Sequence, residues 1–388
     1  MIRRHLRNDQ VCIGQCCPRP LGEVIPVSAR RQARAVIGGW SGYRPTELRS
    51  LEAIADELGL GAVFYKDEQS RFELSSFKAL GGAYAVQLVL RDAMARSMGR
   101  EIALEEIEDG HHPEVASAIT VVTATDGNHG RSVAWGAERF GCKCVIYMHE
   151  DVSRGRVEAV EAFGATVRRV EGNYDDSVRA AAAAADEHGW LVVSDTSWPG
   201  YLEIPRHVMA GYTVMSGEAM EQWPLDAPPT HVFLQGGCGG MAAAVCVDLW
   251  SRYGVDRPRV VIVEPEPAAC LFESAAAGEL RMVNITTETV MAGLSCGEVS
   301  LIAWPILQAA VEDFLTITDQ PVGPLMRRLA VEESIVAGES AVAGLAGLMA
   351  AAGDRDLARG LGLSSESRVL LFGTEGATDP EVYRRLIE

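Results

Sequence analysis

The chain predicts an α/β protein made of two α/β domains with mostly parallel sheets. Strand and helix alternate at short intervals from Thr120 to Asp195, and a second run of the same kind begins at His231 and reaches Glu264. The length, 388 residues, is enough for two cores or one large α/β unit. A strand followed by a helix and another strand, repeated, is the signature of parallel pairing with helices on the sheet faces.

The elements follow in order. Residues 1–40 mix polarity with several Pro and Gly and are read as an arm without chemistry. Tyr43–Leu48 starts a short extended segment, a helix passes through Leu51–Ala55, and Ala62–Lys66 is a strand. A helix runs from about Phe77 to Arg96. The first alternating run comprises strand Thr120–Thr123, a helix near Gly130–Phe140, strand Lys143–Tyr147, a helix near Ser153–Phe163 and strand Thr166–Val170. The alanine-rich helix Asp176–Glu187 has Asp175 or Asp176 as N-cap and Gly189 as its stop, and strand Trp190–Ser194 closes the run. In the second run, strand His231–Leu234 turns through glycines into helix Met241–Tyr253 and strand Arg259–Glu264. A loop-rich stretch to Gly297, helices to Gly353 and a final strand Arg368–Phe372 complete the chain. Sites in such sheets lie outside the carboxyl ends of the strands.

Composition narrows the partners. A formal charge of −18 repels nucleic acid and anionic membrane, so a small-molecule substrate is expected. No apolar run approaches the length of a membrane helix. Nine cysteines without regular spacing do not resemble a secreted disulfide framework. Cys12, Cys16 and Cys17 lack a matching Cys or His pair, so no metal site is expected, and a Cys270–Cys296 disulfide stays open. Met1–Asn8 is Arg-rich without a following apolar stretch, which reads as no signal peptide and a cytoplasmic location.

Lysine is the scarce residue. Only Lys66, Lys78 and Lys143 carry a primary amine, against 32 arginines. Lys78 opens a helix between Phe77 and Leu80, surroundings expected to lower its pKa and make it a nucleophile toward an aldehyde. Gln235-Gly236-Gly237-Cys238-Gly239-Gly240-Met241 joins a strand to a helix and forms an anion cradle. By itself that stretch has two readings. Gly237-x-Gly239-x-x-Ala242, with Glu264 ending the next strand, also fits a dinucleotide fingerprint and an NAD-dependent dehydrogenase.

Ser75-Ser76-Phe77-Lys78-Ala79-Leu80-Gly81-Gly82-Ala83 resembles the cofactor-lysine segment of pyridoxal-phosphate enzymes of the tryptophan-synthase β or threonine-dehydratase fold, fold type II. Tyr65-Lys66-Asp67-Glu68 and Arg71-Phe72-Glu73-Leu74 look most like the diaminopropionate ammonia-lyases within it. Thr123–Arg131, Ser194–Tyr201, the glycine turn and Gly373–Asp379 follow in the family's order, so the resemblance covers about residues 40–383 and favours this cofactor over NAD.

The resemblance implies pyridoxal 5'-phosphate in a cleft between a large cofactor domain (41–84 and 212–388) and a small domain (85–211), in a homodimer. Lys78 would hold the cofactor. Phe77, Asn128, Gly236, Gly237, Cys238, Gly239, Gly240, Met241 and Thr374 would line it, with Asn128 toward its phenolic oxygen and Thr374 toward its ring nitrogen. Ser76, Thr125, Asp126, Gly127, His129 and Asp195 would face the substrate, with Lys78, Asp126 and Asp195 as the proton-transfer set. His129, His207 and Glu203 are assigned no chemical step. Dehydratases of this fold usually carry a small apolar residue at the position of Asp126, and a carboxylate there suits a second amino group. The activity implied is α,β-elimination of 2,3-diaminopropionate to pyruvate and ammonia. Elimination or replacement on serine, threonine or a related amino acid is the alternative, and a protein that binds the cofactor without turnover is another. Gly373 and Ala377 depart from the serine and aspartate that relatives often have.

Overall fold

The computed structural model describes residues 2–125, 127–172 and 174–388, apart from the side chain of Asp175. Its strands are β1 (Ile2–Arg7), β2 (Glu47–Ser50), β3 (Ala62–Asp67), β4 (Thr120–Ala124), β5 (Lys143–His149), β6 (Thr166–Val170), β7 (Leu191–Val192), β8 (His231–Gln235), β9 (Arg259–Pro265), β10 (Asp313–Ile317) and β11 (Arg368–Gly373). The chain divides into two compact units, one of residues 1–27, 45–76 and 215–388 and the other of residues 28–44 and 77–214.

In the first unit the strands form one sheet in the order β1-β10-β9-β8-β11-β3-β2. The inner pairings are parallel, and β1 and β2 close the edges antiparallel. Phe233, Val261, Val263, Leu315, Leu371 and helix Ala343–Ala352 share its main core. β10 lies in a stretch whose sequence reads as helix. Its five residues are all buried between β9 and β1, so they show a short apolar run instead of the alternation of a half-exposed strand. Residues 1–40, expected as an arm, supply the Arg-rich edge strand β1, and charged edges of this kind resist further pairing. They also supply helix Val27–Gly39.

The second unit holds a parallel sheet in the order β6-β5-β4-β7. Its helices include Lys78–Met98, Asn128–Phe140, Arg154–Glu161 and Tyr174–His188. The last begins at Tyr174, so Asp175 and Asp176 lie in its first turn and not at its cap. Gly81 and Gly82, just after Lys78, are there for packing. A Cβ on Gly81 would meet the Val208 carbonyl oxygen at 2.8 Å, and one on Gly82 would overlap the Ser132 hydroxyl. Helix Lys78–Met98 therefore seats directly on helix Asn128–Phe140, where the Ser132 hydroxyl donates to the Lys78 carbonyl at 2.7 Å.

Candidate active site

Lys78 is the first residue of its helix, and its ammonium donates to Asp195 Oδ2. Its Nζ also lies 5.4 Å from the Phe77 ring centroid and 5.7 Å from that of Tyr212, whose rings pack on each other at 4.7 Å. The side chains of Lys78 and Asp195 keep 21% and 15% exposure, so the pair is reachable. Burial works against the Asp195 anion, but the attraction of the His129 ring when it is protonated, the Lys78 charge and the lysine hydrogen bond outweigh it and hold its carboxyl well below the usual range.

His129 completes the cluster. Its Nε2 lies 2.8 Å from the Val193 carbonyl, which can only accept, so Nε2 carries the proton. Nδ1 is left facing Asp195 Oδ2 at 3.8 Å. Burial pushes the imidazole pKa down against the opposing pull of the Asp195 carboxylate, and the nearby Lys78 charge adds to the lowering.

Asp195 is positioned by its own loop. The Tyr201 hydroxyl donates to the Val192 carbonyl and accepts from the Ser194 N–H, both at 2.9 Å. The Trp198 and Tyr201 rings stack with centroids 4.2 Å apart. Sequence reasoning missed Tyr201 because nothing local shows that its hydroxyl turns back across the strand end.

In the preceding loop Thr125 Oγ1 accepts from the Gly127 N–H at 3.1 Å and the Gly130 N–H at 3.2 Å. Thr125 thus folds this loop itself, and Asn128 opens the helix after it. Asp126 lies outside the described residues.

The remaining expected residues belong to the other unit. β8 ends at Gln235 and the glycine turn leads into helix Gly240–Tyr253, whose N-terminus has no side-chain cap. Its first N–H groups are therefore directed at whatever anion sits there. Two glycines of the turn have no room for a side chain: a Cβ on Gly236 would meet Glu264 Cγ at 2.6 Å, and Gly239 has φ +93° with Leu307 in the way. Cys238 and Met241 are part-buried and buried respectively. Thr374, just past β11, is buried and accepts from Gln235 Nε2 at 2.9 Å. Ser76 bridges to Glu375, beside the Gly376 N–H that donates to the Ser75 carbonyl.

Glu264 is not placed for a ribose. It is fully buried, and its two oxygens accept from the Leu271 and Phe272 N–H groups at 2.8 and 2.7 Å, capping helix Cys270–Ala277. That removes the acid on which the dinucleotide reading depends. Cys270 and Cys296 are not joined in a disulfide, and neither are the other seven cysteines.

The departure at Gly373 has a steric cause, because a Cβ there would overlap the buried Tyr65 ring reaching across from β3. Nothing in the structure explains Ala377.

Residues 40–373 match the family model described as pyridoxal-phosphate dependent enzyme. The chain belongs to this family. Among its members, the diaminopropionate ammonia-lyase of Escherichia coli strain K12 is 37% identical over 378 residues, covering 94% of each chain. The crystal structure of the selenomethionine holo form of the Escherichia coli diaminopropionate ammonia lyase superposes with a TM-score of 0.89 at 35% identity, over 100% of this chain and 97% of that one. A second structure of that enzyme, with an aminoacrylate–PLP azomethine reaction intermediate, gives 0.88 at 34% identity over 100% and 97%.

The residues fit the cofactor of this family, pyridoxal 5'-phosphate. A reachable amine lies beside a carboxylate at a helix start, an uncapped helix N-terminus follows a glycine-rich turn, and a buried hydroxyl stands at a strand end. With the cofactor bound, these would supply an amine for the aldehyde, donors for the phosphate and a partner for the ring nitrogen.

The loop entering Lys78 is built on a buried charge cluster. Arg71 donates to both oxygens of Glu68 (2.8 and 2.9 Å) and both of Glu218 (2.9 and 2.7 Å). Lys66 pairs with Glu218 at 2.8 Å and donates to the Thr46 carbonyl. Two cations thus meet two carboxylates away from water. They brace a loop in which Phe72, Glu73 and Ser75 hold φ of 49°, 60° and 52°, conformations that persist only when their surroundings enforce them.

Proposed function

We propose that the chain catalyses α,β-elimination of 2,3-diaminopropionate, with water, to pyruvate and two molecules of ammonia. The observation that carries this reading is the Asp195 carboxylate lying directly on the Lys78 amine. A substrate with two amino groups brings a second ammonium, and an anionic wall attracts that group while giving a neutral hydroxyl no comparable advantage.

Bound pyridoxal phosphate supplies the electron sink that makes the substrate α-proton acidic. Lys78 anchors the cofactor and then serves as the base at the α-carbon. Asp195 orients the lysine amine and receives the β-ammonium, and His129 sits behind it. Asp126 would be the second proton-transfer carboxylate, and two bases acting on different faces would let both enantiomers react. The N–H groups from Gly236 to Met241 would hold the phosphate, Asn128 the phenolic oxygen and Thr374 the ring nitrogen. Thr125, Gly127 and Ser76 form the substrate-carboxylate side.

Pyruvate release from D- or L-2,3-diaminopropionate by the pyridoxal-phosphate-loaded protein, with serine and threonine as controls, tests the reading. Rapid pyruvate from the diamino acid is expected, and Asp126→Asn is expected to slow one enantiomer selectively. Pyruvate from serine or threonine alone would move the assignment to a dehydratase.

The reading includes a homodimer in the cytoplasm. Nine free thiols favour a reducing compartment, and among the described residues no helix is long and apolar enough to cross a membrane. Sedimentation of the loaded protein measures the oligomeric state.

A further inference from the structure

Gln235 and Thr374 stand at the ends of the neighbouring strands β8 and β11, both buried. Gln235 Nε2 donates to the Phe372 carbonyl at 2.8 Å and to Thr374 Oγ1 at 2.9 Å. The carbonyl can only accept, so the atom facing it must be the amide nitrogen, and the two protons of that nitrogen are then both assigned. The orientation is kept even though it leaves Gln235 Oε1 buried without a donor among the described residues. Thr374 Oγ1 is consequently an acceptor toward Gln235. Its own proton points elsewhere and has no acceptor among the described residues. A buried hydroxyl in this state is preset to donate.

We propose that Gln235 is a positioning residue that fixes Thr374 as a hydrogen-bond donor, so that the cofactor ring nitrogen facing it is held as an acceptor without a proton. This rests on the pyridoxal-phosphate reading of the site. Its consequence is a weaker electron sink, which favours loss of a β-substituent over full delocalisation into the ring.

The test loads the protein with pyridoxal phosphate carrying 15N in the ring and follows that nucleus by NMR from mildly acidic to mildly alkaline pH. The wild-type signal is expected to stay at the unprotonated position throughout. In Gln235→Met the hydroxyl can turn, and the signal should move toward the pyridinium position as pH falls. In Gln235→Glu, which preserves shape, the new carboxyl takes the Thr374 proton and presents a lone pair to the ring, so the shift should be larger. A protonated ring nitrogen in the wild type overturns the proposal, as does a wild-type pH profile in both variants. A wild-type protein that takes up no pyridoxal phosphate overturns the underlying reading and this one with it.

Discussion

Lys66 and Lys78 each lie against a carboxylate, and what surrounds the pair separates them. Lys66 has no exposure, and its amine meets Glu218 and the Thr46 carbonyl inside a cluster that also contains Arg71 and Glu68. Burial lowers its pKa, and the two glutamates work in the opposite direction. Lys78 meets the Asp195 carboxylate and remains part-exposed. A buried, charge-balanced cluster holds backbone in place, because removing any member strands its opposite. A pair at a reachable helix start can exchange its partner for a ligand, which is what chemistry on an amine requires.

The sharpest way to break this contrast is to remove each amine. Lys78→Ala should lower pyruvate formation by about 10⁴-fold or more, the top of the range for a positioned proton-transfer group, with little change in the melting of the cofactor-free protein. Lys66→Met should do the reverse, melting earlier while still taking up pyridoxal phosphate with its visible absorbance. A Lys66→Met protein that folds as well as wild type and lacks turnover would reverse the assignment.

Arg71→Met should be the most damaging change to the cluster, leaving Glu68 and Glu218 facing each other at a cost of about 3–5 kcal/mol in denaturant unfolding. Adding Glu68→Gln should restore part of that loss. Equal losses in the single and double variants would mean that the cluster is not held by charge balance.

A third carboxylate sharpens the role of the cations. Glu264 is as buried as Glu218, yet it has two N–H donors and, among the described residues, no paired cation. Burial pushes its pKa up to about 8, whereas Arg71 and Lys66 overcome the same burial effect and hold Glu218 below its usual range. The native protein therefore keeps the Glu264 proton after the unfolded chain has lost it, so this group's contribution makes stability fall as pH rises from 4.5 to about 8. The Glu218 contribution is present above the unfolded carboxyl pKa of 4.5 and is lost as pH falls below it. Glu264→Gln should flatten the alkaline decline by a few kcal/mol (order of magnitude), and Glu218→Gln should lower stability at neutral pH. Melting temperatures across that pH range measure both. An unchanged alkaline slope in Glu264→Gln would place the titration elsewhere.

The contrast also marks what was legible in the sequence. Lys78 stood out because primary amines are few and its glycine-rich helix start is distinctive, and the alternating strands and helices marked the two sheets. β10 was missed because burial on both faces erases the alternation that identifies a strand. The parts played by Gln235, Tyr201 and Tyr65 depend on which strand ends are neighbours. Gly373 is forced by Tyr65, a fact that exists only once β3 and β11 are paired in register.

Tyr201→Phe should have the smallest effect of the set, and it separates support from chemistry. The lost hydroxyl leaves the Val192 carbonyl and the Ser194 N–H without that partner, on either side of the residue that receives His129. About 1–2 kcal/mol of stability should go with it. Asp195 keeps its own carboxylate and its lysine, so kcat should fall by less than the ~10²-fold that a 1 Å misplacement costs. Asp195→Asn gives the reference, since it weakens the contact with Lys78 directly. A Tyr201→Phe protein with kcat reduced as far as in Asp195→Asn, at wild-type stability, would show that the hydroxyl itself meets the substrate and is part of the proton-transfer set.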